Sequence, residues 1–167
     1  FAMQLHAQIL KTELLNETVT QYQKAEWNIS LKTSWNNPYA YAEIALDMLL
    51  TSPSGKTLTL PCFYESGLSE GESQWKARFA ARETGEYIYQ FELKQKGKVV
   101  SSTPKAGFRV NSSKAKGFLN PGDFWTFRYD NGEPFRGIGE NICWESRVED
   151  DSKYFEALHE DKRFNYN

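Results

Sequence analysis

Apolar and polar residues alternate with period two over most of the chain between residues 25 and 110. Ala25, Trp27, Ile29 and Leu31 fall on one side of an extended backbone, and Glu26, Asn28, Ser30 and Lys32 fall on the other. That is the pattern of a strand with one face in a core. After the turn signal Asn36-Asn37-Pro38 the alternation resumes, with Ala42, Ile44, Leu46, Met48 and Leu50 on the predicted core side and Glu43, Ala45 and Asp47 opposite. Ser52-Pro53-Ser54-Gly55-Lys56 combines a Pro that fixes φ with a Gly that allows positive φ, so the strands at 42–50 and 57–64 are predicted to form a hairpin. Residues 65–74, rich in Gly, Ser and Glu, are expected to be a solvated loop. Trp75, Ala77 and Phe79 then alternate with Lys76 and Arg78, and Tyr87, Tyr89, Phe91 and Leu93 line one face of the strand after the Glu83-Thr84-Gly85-Glu86 turn. Lys96-Gly97-Lys98 predicts a tight turn into Val99 and Val100, and residues 106–110 close the set with Phe108 and Val110 facing inward. Residues 8–15 and 19–23 are expected to add one or two strands.

Six to eight short strands separated by polar turns predict an all-β domain, specifically an immunoglobulin-like antiparallel β-sandwich over residues 1–110. Residues 111–122 read as a linker, Ser- and Lys-rich at its start, and a second unit is expected over 123–167. There, residues 135–144 read as a buried strand with a polar tip, an acidic loop follows, residues 154–162 are helix-like, and Phe164-Asn165-Tyr166-Asn167 begins another strand. Strand, helix, strand is the repeat of a parallel α/β fold, and one such unit cannot bury its own faces. The expectation is therefore a C-terminal strand-helix remnant of a barrel, truncated after its first unit.

The chain has 167 residues, 40% of them hydrophobic and 15% aromatic, enough for one domain with a core but hardly for two. A net charge of -2 offers no basic excess to neutralise phosphates, so nucleic acid is not expected as a partner. No run approaches the roughly 18 apolar residues of a spanning helix, so no membrane is expected either; no signal peptide is visible at Phe1-Ala2-Met3, which says little about location. Cys62 and Cys143 fall in different predicted units and are read as free, buried thiols. His6 and His159 do not suggest a metal pair or a hydrolase base. Glu149-Asp150-Asp151 lacks the glycine spacing of a calcium loop and suits a helix N-terminus. Gly137-Ile138-Gly139 lacks the third glycine of a phosphate loop. No cofactor and no metal are expected.

Aromatic residues supply the remaining candidate chemistry. Trp27 and Trp75 are in phase with the core positions and are assigned to the core. Trp35, Tyr39 and Tyr41 flank a loop beside Asn36 and Asn37. Rings that stack on the C–H face of a pyranose, next to amides that bond its hydroxyls, make these five residues the candidate carbohydrate-binding set. The alternative role is to pack the loop or to contact a neighbouring domain.

The ordered series Trp27, Asn37-Pro38-Tyr39, Thr51-Ser52-Pro53-Ser54-Gly55-Lys56, Pro61-Cys62-Phe63-Tyr64, Trp75-Lys76-Ala77-Arg78-Phe79 and Thr84-Gly85-Glu86-Tyr87 resembles a known accessory domain. It is similar to the immunoglobulin-like domain of unknown function found at the N-terminus of certain bacterial glycoside hydrolases. Phe127-Arg128-Tyr129-Asp130-Asn131-Gly132-Glu133-Pro134-Phe135, followed by Gly137-Ile138-Gly139-Glu140-Asn141, resembles the strand pair that leads into the (β/α)8 catalytic barrel of cellulase- or apiosidase-like enzymes. The resemblance implies that the catalytic carboxylates lie on later strands, so this chain is expected not to be an enzyme. Glu140, Asn141 and Trp144 would be a remnant of the barrel cleft, and Glu140 with Glu145 is not read as a catalytic pair. The implied function is a non-catalytic accessory domain that packs against and orients the missing barrel; the alternative is a carbohydrate-binding module that holds polysaccharide near the enzyme. The implied location is secreted, periplasmic or on the cell surface of a bacterium. Without the barrel, Phe135, Ile138, Ile142, Tyr154, Phe155 and Leu158 need other cover, for which self-association through residues 133–167 is one solution.

Overall fold

In a computed structural model of the chain, residues 7–139 are described. In order, the strands are β1 (Gln8–Leu14), β2 (Val19–Thr20), β3 (Lys24–Lys32), β4 (Ile44–Thr51), β5 (Thr57–Pro61), β6 (Phe63–Gly67) and β7 (Glu72–Ala80), then β8 (Gly85–Gln95), β9 (Lys98–Ser102), β10 (Ala106–Asn111), β11 (Leu119–Pro121), β12 (Phe127–Tyr129) and β13 (Pro134–Phe135). One sheet has the order β1-β3-β7-β6. A second has the order β2-β10-β8-β4-β5, with β9 pairing the far end of the long strand β8. A third, small sheet has the order β11-β12-β13. Neighbours run antiparallel except β2 and β10, which run parallel through Val19↔Val110 and Thr20↔Asn111.

The two larger sheets contribute to one core, and the period-two positions supply it. Ala25, Trp27, Ile29 and Leu31 of β3 are fully buried, as are Met48, Ala77, Phe91 and Leu93. Ile44, Leu46, Leu50, Trp75, Tyr87, Phe108 and Val110 join them in the same apolar cluster. Register explains the match: Leu46, Met48 and Leu50 stand opposite Leu93, Phe91 and Tyr89, so cross-strand partners share the inner face. Removing such side chains from water stabilises the fold by about 1.5–3 kcal/mol each.

All-β is correct. The immunoglobulin-like antiparallel β-sandwich with a C-terminal strand-helix remnant of a (β/α)8 barrel is not: the described residues hold no helix, and the strands lie in curled, open sheets with a half-barrel. Of the barrel strand expected at 135–144, Phe135 is the last residue of β13. Asn131-Gly132, with Gly132 at φ 87°, turns the chain so that Phe135 pairs back on Phe127, and the result is an antiparallel hairpin. Residues 136–139 carry no regular structure. The rest of the predicted strand, the helix at 154–162, the strand at 164–167, Cys143 and both histidines lie outside the described residues.

Three local expectations also change. The predicted strand at 57–64 is two strands in different sheets: the chain stays on β4 through Cys62, whose N–H bonds Leu46 O in register at 2.8 Å, and from Phe63 it pairs with β7 instead. Residues 65–74 are the ends of β6 and β7 and a short turn between them; Ser73 is fully buried, its hydroxyl bonded to Leu31 O (3.3 Å) and to the Trp75 indole N–H (3.2 Å). Ala42, predicted to face the core, is exposed and precedes β4.

Candidate functional site

The segment leaving β3 is tied to two other turns. The Gln95 amide donates to Thr33 Oγ1 (2.6 Å) and Ser34 O (3.1 Å). Ser69 Oγ accepts from Trp35 N (2.9 Å) and donates to Trp35 O (2.7 Å), while Glu70 N–H donates to Thr33 O (2.9 Å). Lys96 N–H donates to Glu43 O (2.9 Å), and the Glu43 carboxylate accepts the backbone N–H groups of Asn36 (2.5 Å) and Asn37 (3.3 Å). Two residues sit in the left-handed region to make these turns: Glu70 at φ 65° and Lys96 at φ 47°. The second belongs to the two-residue Lys96-Gly97 hairpin turn that joins β8 and β9, where positive φ at both positions suits the strand twist.

These bonds frame a polar cleft of about 590 Å³. It is lined by Trp35, Asn36 and Glu43 of the β3–β4 connection and by Glu70, Gln95 and Lys96 of two other hairpins, together with Ser34 and Ser69. Of the five residues expected to bind carbohydrate, Trp35 and Asn36 line this cleft. Trp35 is only 9% exposed and packs edge-on to Tyr64, with ring centroids 6.0 Å apart. Packed in this way, its ring cannot serve as an open stacking platform. Asn37 is a turn former whose Oδ1 accepts the Tyr39 N–H at 3.0 Å.

Tyr39 and Tyr41, both exposed, line a separate groove of about 160 Å³ with Pro38, Cys62, Phe63 and Tyr64. Tyr41 is anchored: its hydroxyl donates to Asp47 Oδ2 (3.0 Å), which also accepts from Lys94 Nζ (2.8 Å). Asp47, on the predicted solvent side of its strand, is fully buried, and its Oδ1 has no partner among the described residues. The hydrogen bond to Asp47 raises the pKa of both Lys94 and Tyr41, which keeps the ammonium charged and the phenol protonated. Burial against the core pushes the Cys62 thiol up, so it is no activated nucleophile.

The small sheet presents a third surface. Its register puts Leu119, Pro121, Phe127, Tyr129 and Phe135 on one face. Phe124 and Trp125 form the β11–β12 tip, 86% and 85% exposed, with ring centroids 4.7 Å apart and perpendicular. The tip is rigid because Asp123 Oδ1 accepts the N–H groups of Trp125 and Thr126, each at 2.8 Å; those bonds lower the Asp123 pKa. Asp130 holds the base of the sheet, accepting from Phe118 N (2.9 Å) and the Asn120 amide (2.8 Å). Phe118 is clamped between the Tyr22 ring, 5.6 Å away, and the Arg82 guanidinium, 5.1 Å away.

Glu140, Asn141 and Trp144 lie outside the described residues. Sequence reasoning missed Glu70, Gln95 and Lys96, which reach the cleft from other hairpins; the one local signal was turn chemistry at Glu70-Gly71 and Lys96-Gly97. Among the described residues no group of His, Cys, Asp and Glu is arranged to hold a metal, and no helix is long and apolar enough to cross a membrane.

No curated protein matches the chain. Among solved structures, the alkylpurine DNA glycosylase AlkC of Pseudomonas fluorescens, bound to DNA containing an abasic site analog, aligns at 10% identity with a TM-score of 0.38, covering 65% of this chain. The alignment spans 31% of that protein, and a likeness this weak carries no argument for fold or for DNA. Residues 18–94, from the approach to β2 through most of β8, match the family described as Domain of unknown function (DUF5060), and this stretch is a DUF5060 domain.

Proposed function

We infer that the chain serves as a non-catalytic accessory domain that packs against and orients the catalytic barrel of a bacterial glycoside hydrolase outside the cytoplasm. The observation that supports this reading is the apolar face of the small sheet. Phe127 and Phe135 on that face are 50% and 37% exposed, and the Phe124–Trp125 tip beside it is almost free of contacts. Soluble proteins rarely leave rigid aromatic clusters bare without a partner, and buried aromatics dominate the energetics of interfaces. The sheet lies C-terminal to the DUF5060 match, after β9 and β10, at the stretch whose motifs resemble the entry to a hydrolase barrel. Asp123 and Asp130 fix the turn and the base of the sheet, so little ordering entropy would be lost on docking.

The test is the double variant Phe124→Ser/Trp125→Ser, made both in the parent protein carrying the barrel and in residues 1–167 alone. The parent should lose several degrees of barrel Tm and part of its activity, while the short chain melts unchanged. Equal behaviour of the variant and the native parent protein would sink the packing role.

A further inference from the structure

We propose that the polar cleft walled by Trp35, Asn36, Glu70, Gln95 and Lys96 is a binding site for a neutral polyhydroxylated ligand, one or two sugar units of a glycan. This proposal is independent of the packing role, because the cleft is built from β3, β7, β8 and their turns and uses no residue of the small sheet. A volume of about 590 Å³ falls within the usual range of small-ligand clefts. The walls are preformed, since the Ser69–Trp35 pair and the Gln95 amide cross-link three segments that are distant in sequence and the Glu43 carboxylate braces the β3–β4 connection from within. A site held this way loses little entropy when it closes on a ligand.

The groups left over define the ligand. No hydrogen bond engages the side chains of Asn36, Glu70 or Lys96, or the indole N–H of Trp35, among the described residues. They supply an amide, a carboxylate acceptor, an ammonium donor and an indole donor around one space. Sugar hydroxyls both donate and accept, so each of these groups has a partner on a polyol. Charge argues the same way. Glu43 is satisfied by two backbone N–H groups, leaving Glu70 and Lys96 as one negative and one positive charge. A phosphate would meet carboxylates, and a polycation would meet Lys96; a neutral ligand meets neither penalty.

This placement differs from a platform made by the tyrosines. Tyr39 and Tyr41 line the other groove, and the Tyr41 hydroxyl is committed to Asp47. It assigns recognition to hydrogen bonds, with Glu70, Gln95 and Lys96 as residues that determine specificity.

The experiment uses residues 1–167 and calorimetric titration, with tryptophan fluorescence alongside, against neutral disaccharides of glucose, galactose, mannose, xylose and arabinose, plus inorganic phosphate. At least one disaccharide should bind with Kd below about 10 mM. Asn36→Ala and Glu70→Asn should each weaken it tenfold or more; Asn is chosen at position 70 because it tolerates positive φ. Tyr39→Ala and the Phe124→Ser/Trp125→Ser variant should bind as the native chain does. Silence across all five sugars overturns the proposal. So does binding that survives Asn36→Ala and Glu70→Asn, that is lost in Tyr39→Ala, or that is weaker than the binding of phosphate.

Discussion

Replacing Glu26 with Gln isolates a single electrostatic device on the outer face of the four-stranded sheet. The Glu26 carboxylate lies among three cations: Arg78 Nε at 2.5 Å, Lys24 Nζ at 2.9 Å and Lys76 Nζ at 3.7 Å. Its side chain is 11% exposed, while those of Lys24 and Arg78 are 59% and 51% exposed. Hydrogen bonds from Lys24 and then Arg78 hold its pKa down at about 2, against an ordinary 4.5. A gap of that size corresponds to roughly 3 kcal/mol if taken whole. Because two of the partners are mostly in solvent, the usable share is about 1–2 kcal/mol. Since the folded pKa is the lower one, the stabilisation is complete above pH 4.5 and is lost as pH falls towards 2. Urea denaturation of the native chain and Glu26→Gln should therefore show a gap of about 1–2 kcal/mol at pH 7 that closes as pH falls through this window. Other carboxylates titrate in the same range, so the informative quantity is the difference between the two proteins. A gap that stays constant from pH 7 to pH 2, or no gap at pH 7, would refute the reasoning.

Substitutions at Tyr41, Trp27 and Gly67, with Gly55 as a control, probe other parts of the fold. Tyr41→Phe removes the phenolic donor to a fully buried carboxylate and should cost about 1.5–3 kcal/mol in urea denaturation at pH 7; a cost near zero would mean that water replaces the hydroxyl. Trp27→Ala should cost about 3–5 kcal/mol, and Trp27→Phe clearly less, because the buried indole N–H has no partner among the described residues and its removal offsets part of the lost volume. Equal losses would deny that this donor is unsatisfied. Gly67→Ala should lower stability by more than about 1 kcal/mol, since Gly67 sits at φ 118° and an added Cβ would fall 2.5 Å from Ser73 Cα; Gly55→Ala, with open space around it, is the control and should melt higher than Gly67→Ala.

The core was legible because it is encoded locally. Ala25, Trp27, Ile29 and Leu31 announce their shared face by spacing alone, and so do Tyr87, Phe91 and Leu93. What escaped depends on segments that meet only after folding. Asp47 alternates as a solvent-side residue, and nothing near it in sequence states that Tyr41 and Lys94 will converge on its carboxylate. Residues 57–64 carry a continuous strand pattern, and the change of partner after Cys62, from β4 to β7, depends on a strand that meets this segment only after folding. β11, β12 and β13 are two or three residues long, too short for period two to register, so the stretch read as the opening of a barrel was judged by motif and not by pattern. At the cleft, Trp35 and Asn36 were found, but their partners across the space arrive on two other hairpins. Trp35 itself was read as a platform although its surroundings bury it.

The parallel pairing of β2 with β10 gives the domain a mechanical character. These strands stand near the two ends of the main body, so tension applied at residues 18 and 112 pulls them past each other lengthwise. Bonds in that arrangement, including Gln21 N to Asn111 O at 2.9 Å, are loaded together, whereas an antiparallel hairpin such as β4–β5 opens one bond at a time. Force spectroscopy between residues 18 and 112 should therefore record a higher first peak than pulling between residues 44 and 61; the reverse order would contradict this account. A module joined to a heavy neighbour at one end and an anchored chain at the other would transmit drag through that short clamp before its core gave way.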